Sequence, residues 1–558
     1  MAGTWTPLTN QPTFPAGTML LLTDGTVLAQ ESGGKRWWRL FPDQHGSYIK
    51  GTWSPQSEML NSRLYFASAV LSDGRVFVAG GEYSDAGGDT NKAEIFNPIL
   101  DLWTAIPAPA GWTNIGDAPC AVLPDGRLLL GSIGDQRTAI YDPSSNTWTA
   151  GPNKDDASEE ETWTLLPDET VLTAECTRHP RTEKYVAAAN QWVTAGATPS
   201  DLVQASSLEI GPALLMPDGR VFATGASGHT AIYTPPNIAN QPGTWSAGPD
   251  FPPDGNGKLM EAKDAPGCLM PNGRVLCVAG PAAEGGSFPG PTQFFEFDGA
   301  GLVSTTNPPN NGGPPFVGRM LVVPTGQVLF AAGTNQIHVY TPAGNADPSW
   351  APHITSCPHV IQAGHSYTLH GRQLNGLSQA VSYGDDASAA TNYPLVRVRH
   401  LASGRVYFCR TFNHSTMGVA TGTSVQHTTF KVPFGAPSGA SELVVIANGI
   451  ASNAWGVNVE PFVFWNFPNY EAFARLIGSL ADGPLWVLGP NGPVPVDPWG
   501  PFVAERAEKA YAEIRAGVKT LYELGNEIMT LRAKEGSKEL LPQVKSAGGV
   551  REKAAVSR

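Results

Sequence analysis

The chain has 558 residues, 41% of them apolar and 15% charged, with 62 Gly and 49 Pro, which fits a globular protein of many short strands and turns, large enough for several domains. A formal charge of −13 repels phosphate backbones and anionic membrane surfaces, so no nucleic-acid partner is expected. No segment offers the run of about 18 apolar residues that a membrane span needs, and six cysteines are too few for a disulfide scaffold.

The amino terminus, Met1-Ala-Gly-Thr-Trp-Thr-Pro7, shows no basic region followed by an apolar stretch. A cytoplasmic protein, a trimmed presequence and non-classical export are all compatible with it. Residues 3–8 nevertheless have the form of an outer β-strand standing before the first repeat.

From there the chain repeats itself seven times as apolar strand, Asp-Gly-type turn, apolar strand. The turns start at Thr23, Ser72, Pro124, Pro167, Pro217, Pro271 and Pro324, spaced 43–54 residues apart. That period is one four-stranded kelch propeller blade. A third strand follows each pair, as in Ala93–Asn97, and then a Trp-bearing fourth strand carrying Trp53, Trp103, Trp148, Trp192 or Trp245. The seventh repeat runs out near Pro342, so strand 3–8 is expected to complete the last blade and remove the sheet edges an open ring would expose. The propeller is thus expected over residues 1–350.

Residues 351–460 lose the period but keep short alternating strands, the pattern of an immunoglobulin-like sandwich. Residues 461–501 read as an irregular Pro- and aromatic-rich connector. Residues 502–535, with Ala507, Ile514, Leu521 and Ile528 every seven positions, predict an amphipathic helix able to dock on its own protein or on a partner copy. Residues 536–558 read as a disordered tail. The fold class is all-β, a seven-bladed propeller followed by a sandwich, with an α-helical carboxy-terminal tail.

Two cysteine pairs stand out. A two-residue hairpin at Asn272-Gly273 would place Cys268 directly opposite Cys277, and Cys357 with Cys409 could bridge two sandwich strands; reduced, buried thiols are the alternative for both.

Seven kelch blades closed by an amino-terminal strand, then a sandwich carrying Val381-Ser-Tyr-Gly384, resemble the galactose oxidase and glyoxal oxidase family over roughly residues 1–460. The resemblance implies a copper ion held by two Tyr and two His, one Tyr being cross-linked to a Cys. Tyr65 stands at the cross-linked position, but no Cys precedes Cys120. The Tyr-His pair falls on Phe316-Val317, and the sandwich His is missing between Asp385 and Arg399. Copper at such a centre requires imidazole and phenolate together, so neither copper nor copper-radical oxidase activity is expected.

Every inner strand starts on one face of a propeller, so the residue seven positions before each turn should line the channel mouth. That rule selects Ala16, Tyr65, Asp117, Glu160, Ile210 with Glu209 beside it, Asp264 and Val317. Asp117, Glu160 and Asp264 are candidate metal ligands, with calcium the candidate ion. Glu209 would join them if it turns inward, and Tyr65 and Trp163 offer stacking faces for a sugar. The acids could instead pair with Arg63, Lys263 and Arg319. His414, in a sandwich segment that could project over the mouth, is a further candidate contact. The stretch of His353, Cys357, His359 and His365 follows no standard zinc spacing.

These features together predict a non-catalytic binding propeller whose acidic funnel takes a carbohydrate, a cation or a protein partner. An enzyme using the mouth carboxylates for acid–base or metal-assisted chemistry, and a structural component attached through residues 502–535, are the alternatives.

Overall fold

The computed structural model describes residues 3–383 and 389–461, and the backbone of a hairpin, Trp486–Gly489 paired with Gly492–Pro495, inside the expected connector. Residues 1–463 form one compact unit, and the hairpin belongs to a second. The expected helix at 502–535 and tail at 536–558 lie outside the described residues.

Seven sheets form the propeller, each in meander order; blade one comprises Ala16–Leu21, Val27–Glu31, Trp37–Phe41 and Thr52–Pro55. Inner strands such as Ala67–Val70 and Val76–Ala79 are buried along their whole length, because each blade packs on neighbours through both faces. Outer strands such as Leu102–Ile106 alternate between exposed and buried positions.

The fourth-strand tryptophans hold the ring together in two ways. Trp103, Trp148 and Trp245 lie opposite an aromatic residue of their own third strand, Phe96, Tyr141 and Tyr233, with ring centroids 5.0 Å apart in all three pairs, whereas Trp53 faces Leu40. Three of the indole N–H groups reach back to the preceding blade: Trp103 to the carbonyl of Ser57 at 3.0 Å, Trp148 to that of Pro107 at 2.7 Å and Trp245 to the Thr182 hydroxyl at 3.0 Å. Closure follows the same rule. Thr4–Pro7 pairs with Ile337–Thr341, Trp5 faces Tyr340, and the Trp5 indole donates to Thr306 of blade six at 2.6 Å.

The Asp-Gly turns are not two-residue hairpins. At Met270 the N–H bonds to the carbonyl of Arg274 and the Gly273 N–H returns to the Met270 carbonyl, with Gly273 at φ +80°. This is a type I turn followed by a left-handed bulge residue. The extra residue shifts the register by one, so Cys268 faces Leu276 and Cys277 faces Gly267. The expected Cys268–Cys277 juxtaposition is therefore wrong, and all six cysteines are free buried thiols. Cys357 and Cys409 share the sandwich core without a bond between them.

The sandwich has two sheets joined by Val406–Phe412. The first half of that strand pairs with Leu395–His400, the second half with Val425–Lys431. It sits on the turn face of the propeller: the Thr411 N–H bonds to Thr23, the Met417 N–H bonds to Pro124, and the Phe408 ring occupies the space a Cβ on Gly25 would need. Among the described residues, the segment Ser378–Tyr383 leaves that face and enters the ring. Val381-Ser382 pairs with Gly267-Cys268 as a fifth, innermost strand of blade six. The Gln379 side chain accepts from the Leu165 N–H of blade four at 2.8 Å, and the Ser382 hydroxyl lies 3.0 Å from that of Thr162.

Candidate ligand-binding mouth

Tyr65, Glu160 and Asp264 occupy equivalent positions at the start of the inner strands of blades two, four and six. All three adopt left-handed backbone, at φ 50°, 58° and 51°. Non-glycine residues take this conformation at a cost of about 1 kcal/mol or more, and such strain concentrates where side chains must be aimed.

Carboxylate oxygens of Glu160, Glu209 and Asp264 all lie within 4.8 Å of one another. They come from three successive blades, and the Asp264 N–H bonds to the Ile210 carbonyl, which ties blade six to blade five beside Glu209. Asp117, at the same level of blade three and buried, is outside this group; Glu209 takes the place it was expected to fill. Lys263 stands behind the trio. Its ammonium is held by the Gly285 carbonyl and Gln204, and lies 4.2 Å from the Phe288 ring centroid. Burial lowers its pKa against the pull of Glu209, Glu261 and Asp264.

Across the mouth the surface is aromatic. Tyr65 lies edge-on to Tyr83 at 6.2 Å and near Phe316 at 6.4 Å; Tyr83 is 63% exposed. The Arg319 guanidinium is 5.7 Å from the Tyr65 centroid and 4.0 Å from that of Tyr383, whose hydroxyl donates to the Phe316 carbonyl. Tyr383, Tyr83 and Phe316 were not singled out as contacts. The signal for Tyr383 is its place directly after Val381-Ser382, which pair with blade six.

Three expectations are corrected. Trp163 is no stacking face: it is 6% exposed, packs on Trp192 at 5.4 Å, and donates to Glu161 at 3.0 Å. Its strand has already turned into the blade interior. His414 is not at the mouth, because the segment carrying it packs on the turn face; its Nδ1 lies 2.9 Å from the Thr428 hydroxyl and burial pushes its pKa down to about 3. Arg63 does not serve the rim either, being fully buried in an ion pair with Glu94 at 2.6 Å.

A second acidic group lies in blade four. Asp156, Glu161 and Glu175 are buried and equally close together, but the Lys154 ammonium sits among them, 2.8 Å from Glu161 and 3.0 Å from Glu175, with Glu183 at 3.5 Å. Burial alone would lower the Lys154 pKa; Glu161, Asp156 and Glu183 reverse this and hold it above the ordinary range. Both groupings of possible metal ligands among the described residues are wholly carboxylate. That is a donor set suited to hard cations.

Residues 63–109 match the kelch motif. A galactose oxidase of Gibberella zeae is 26% identical over 166 residues, 27% of this chain and 23% of that protein. An F-box/kelch-repeat protein of Arabidopsis thaliana is 33% identical over 94 residues, 16% of this chain and 26% of its own length. A solved fungal alcohol oxidase of the AA5 family, in complex with copper, is 14% identical, with a TM-score of 0.49 over 82% of this chain and 100% of its own. The chain thus spans about a quarter of the length of the curated relatives it matches. The kelch motif, the galactose oxidase relative and the seven closed blades support a galactose-oxidase-like kelch family.

Proposed function

We propose that the chain is a binding propeller whose mouth takes a hard cation, calcium being the candidate, and through it or beside it a hydroxyl-rich ligand. The observation that carries this reading is the convergence of Glu160, Glu209 and Asp264 from three neighbouring blades to within 4.8 Å. Three carboxylates at such spacing repel one another, and a cation taking several oxygens in flexible geometry relieves that repulsion. Tyr65 and the exposed Tyr83 supply faces on which a sugar ring can stack next to the ion. Copper-radical oxidation is not part of the proposal, since Phe316 and Val317 stand where the family places a Tyr and a His.

Calcium titration of the chelator-treated protein, read by calorimetry and by thermal denaturation, tests this. Binding of one ion is expected, with a rise in melting temperature, and the Glu209→Gln, Asp264→Asn double variant should lose at least tenfold in affinity while remaining folded. Calcium binding that is absent, or unchanged in that variant, would remove the mouth as the site.

A further inference from the structure

The sequence stretch of His353, Cys357, His359 and His365 is dispersed by the fold. Cys357 enters the sandwich core, His359 stacks on Trp455 at 5.0 Å while bonding the Gly456 carbonyl, and the His365 ring turns to the Ala363 carbonyl. Two histidines far apart in sequence meet instead. His370, in Ser366–Arg372, is the direct cross-strand partner of His427, in Val425–Lys431. Both are exposed, and their ring centroids are 5.7 Å apart with planes at 48°.

Directly opposed residues of antiparallel strands project to the same face with Cβ atoms about 4.5–5.5 Å apart, which puts two imidazoles within reach of one ion. An ion about 2.0–2.1 Å from each ring nitrogen in tetrahedral geometry brings the two ring centroids to roughly 5 Å. The observed separation of 5.7 Å is close to that value, and both residues are exposed.

We propose that His370 and His427 form a surface site for a borderline divalent transition-metal ion of the Zn2+, Ni2+ or Cu2+ class. Two imidazole nitrogens provide the protein ligands and water completes the coordination shell, so binding is modest. The donor type separates this site from the mouth: imidazole selects transition metals, carboxylate selects hard cations. An ion here bridges two strands of one sandwich sheet and stabilises the folded form by mass action.

The test is titration of the full chain, free of any affinity tag, with Zn2+ and Cu2+ in the presence of excess Ca2+, read by calorimetry and thermal denaturation. One site per chain is expected, with Cu2+ tighter than Zn2+ and a melting temperature raised by either ion. His370→Ala and His427→Ala should each weaken binding at least tenfold, whereas His45→Ala, at an exposed histidine elsewhere, should not change it. A folded His370→Ala, His427→Ala double variant that binds as the parent does, or a parent that takes up neither ion below millimolar concentration, would overturn the proposal.

Discussion

Blade four and the channel mouth each gather three carboxylates within 4.8 Å, yet they solve the resulting repulsion differently. In the blade the solution is internal: Lys154 is fully buried and reaches Asp156, Glu161, Glu175 and Glu183 at 2.8–3.5 Å. At the mouth Glu160 and Asp264 are partly exposed on left-handed backbone, and Lys263, on which Glu209, Glu261 and Asp264 act electrostatically, also bonds the Gly285 and Ser287 carbonyls. An acidic cluster with its own buried ammonium is part of the scaffold. On the proposed reading, the one that opens to solvent is where a ligand binds.

Removing the ammonium breaks this comparison most directly. Lys154→Met leaves four carboxylates facing one another in a dry interior, and breaking a buried ion pair in this way costs about 3–5 kcal/mol. The midpoint of urea unfolding should fall accordingly, whereas neutralising Glu209 and Asp264 at the mouth should leave it near its original value. Equal losses for the two variants would show that the mouth acids are scaffold as well.

The blade-four cluster should also announce itself in the pH dependence of stability. Burial pushes the Glu161 carboxyl up to about 7 from 4.5, against the opposing effect of Lys154. The folded chain therefore keeps a proton that the unfolded chain has released, and stability declines as pH rises through that interval and levels off above it. A shift of that size corresponds to at most about 3 kcal/mol. Glu183, Glu159 and Glu261 are raised by burial too and act in the same direction. Asp135 and Asp155, held low by hydrogen bonds from Arg137 and Arg178, act below about 3.8, where stability is lost as pH falls. Glu161→Gln keeps the hydrogen-bonding shape without the titration, so its unfolding midpoint should drop less between pH 5 and pH 7 than the parent's. Parallel curves for the two proteins would assign the decline to other groups.

The sequence made the ring legible because turns recur at a fixed period, and a period survives large variation in the strands between turns. The position rule drawn from those turns picks out Tyr65, Glu160 and Asp264, three residues that share left-handed backbone, since a start-of-strand residue is fixed by counting back from its turn. It failed where direction depends on tertiary packing. Trp163 follows Glu160 by three residues, but the left-handed turn at Glu160 sends it between blades. The resemblance puts His414 in a segment over the mouth, whereas that segment packs on the turn face and a different one, Ser378–Tyr383, joins blade six. The cysteine pairing failed through one bulge residue per turn, which no apolar pattern records, because the pattern repeats every two residues and the bulge adds one.

That bulge also supplies the finest contrast between blade four and the rest. In the other six turns the bulge position is glycine, at φ between 76° and 88°, but in blade four it is Glu169 at φ 67°. The hydrogen bonds are the same, with the Leu166 N–H reaching the Thr170 carbonyl and the Glu169 N–H returning to Leu166. Glu169 is exposed, so its side chain contributes little packing to set against the left-handed conformation. Relief of that conformation is worth about 1–2 kcal/mol, and the added freedom of glycine in the unfolded chain takes back about 0.5–1 kcal/mol. Glu169→Gly should therefore raise stability slightly, by about 0.5–1 kcal/mol, measurable as a small upward shift of the urea midpoint with unchanged slope. A downward shift would mean that the Glu169 side chain holds blade four in a way its exposure does not reveal, and that this blade departs from its neighbours in its turn as well as in its buried lysine.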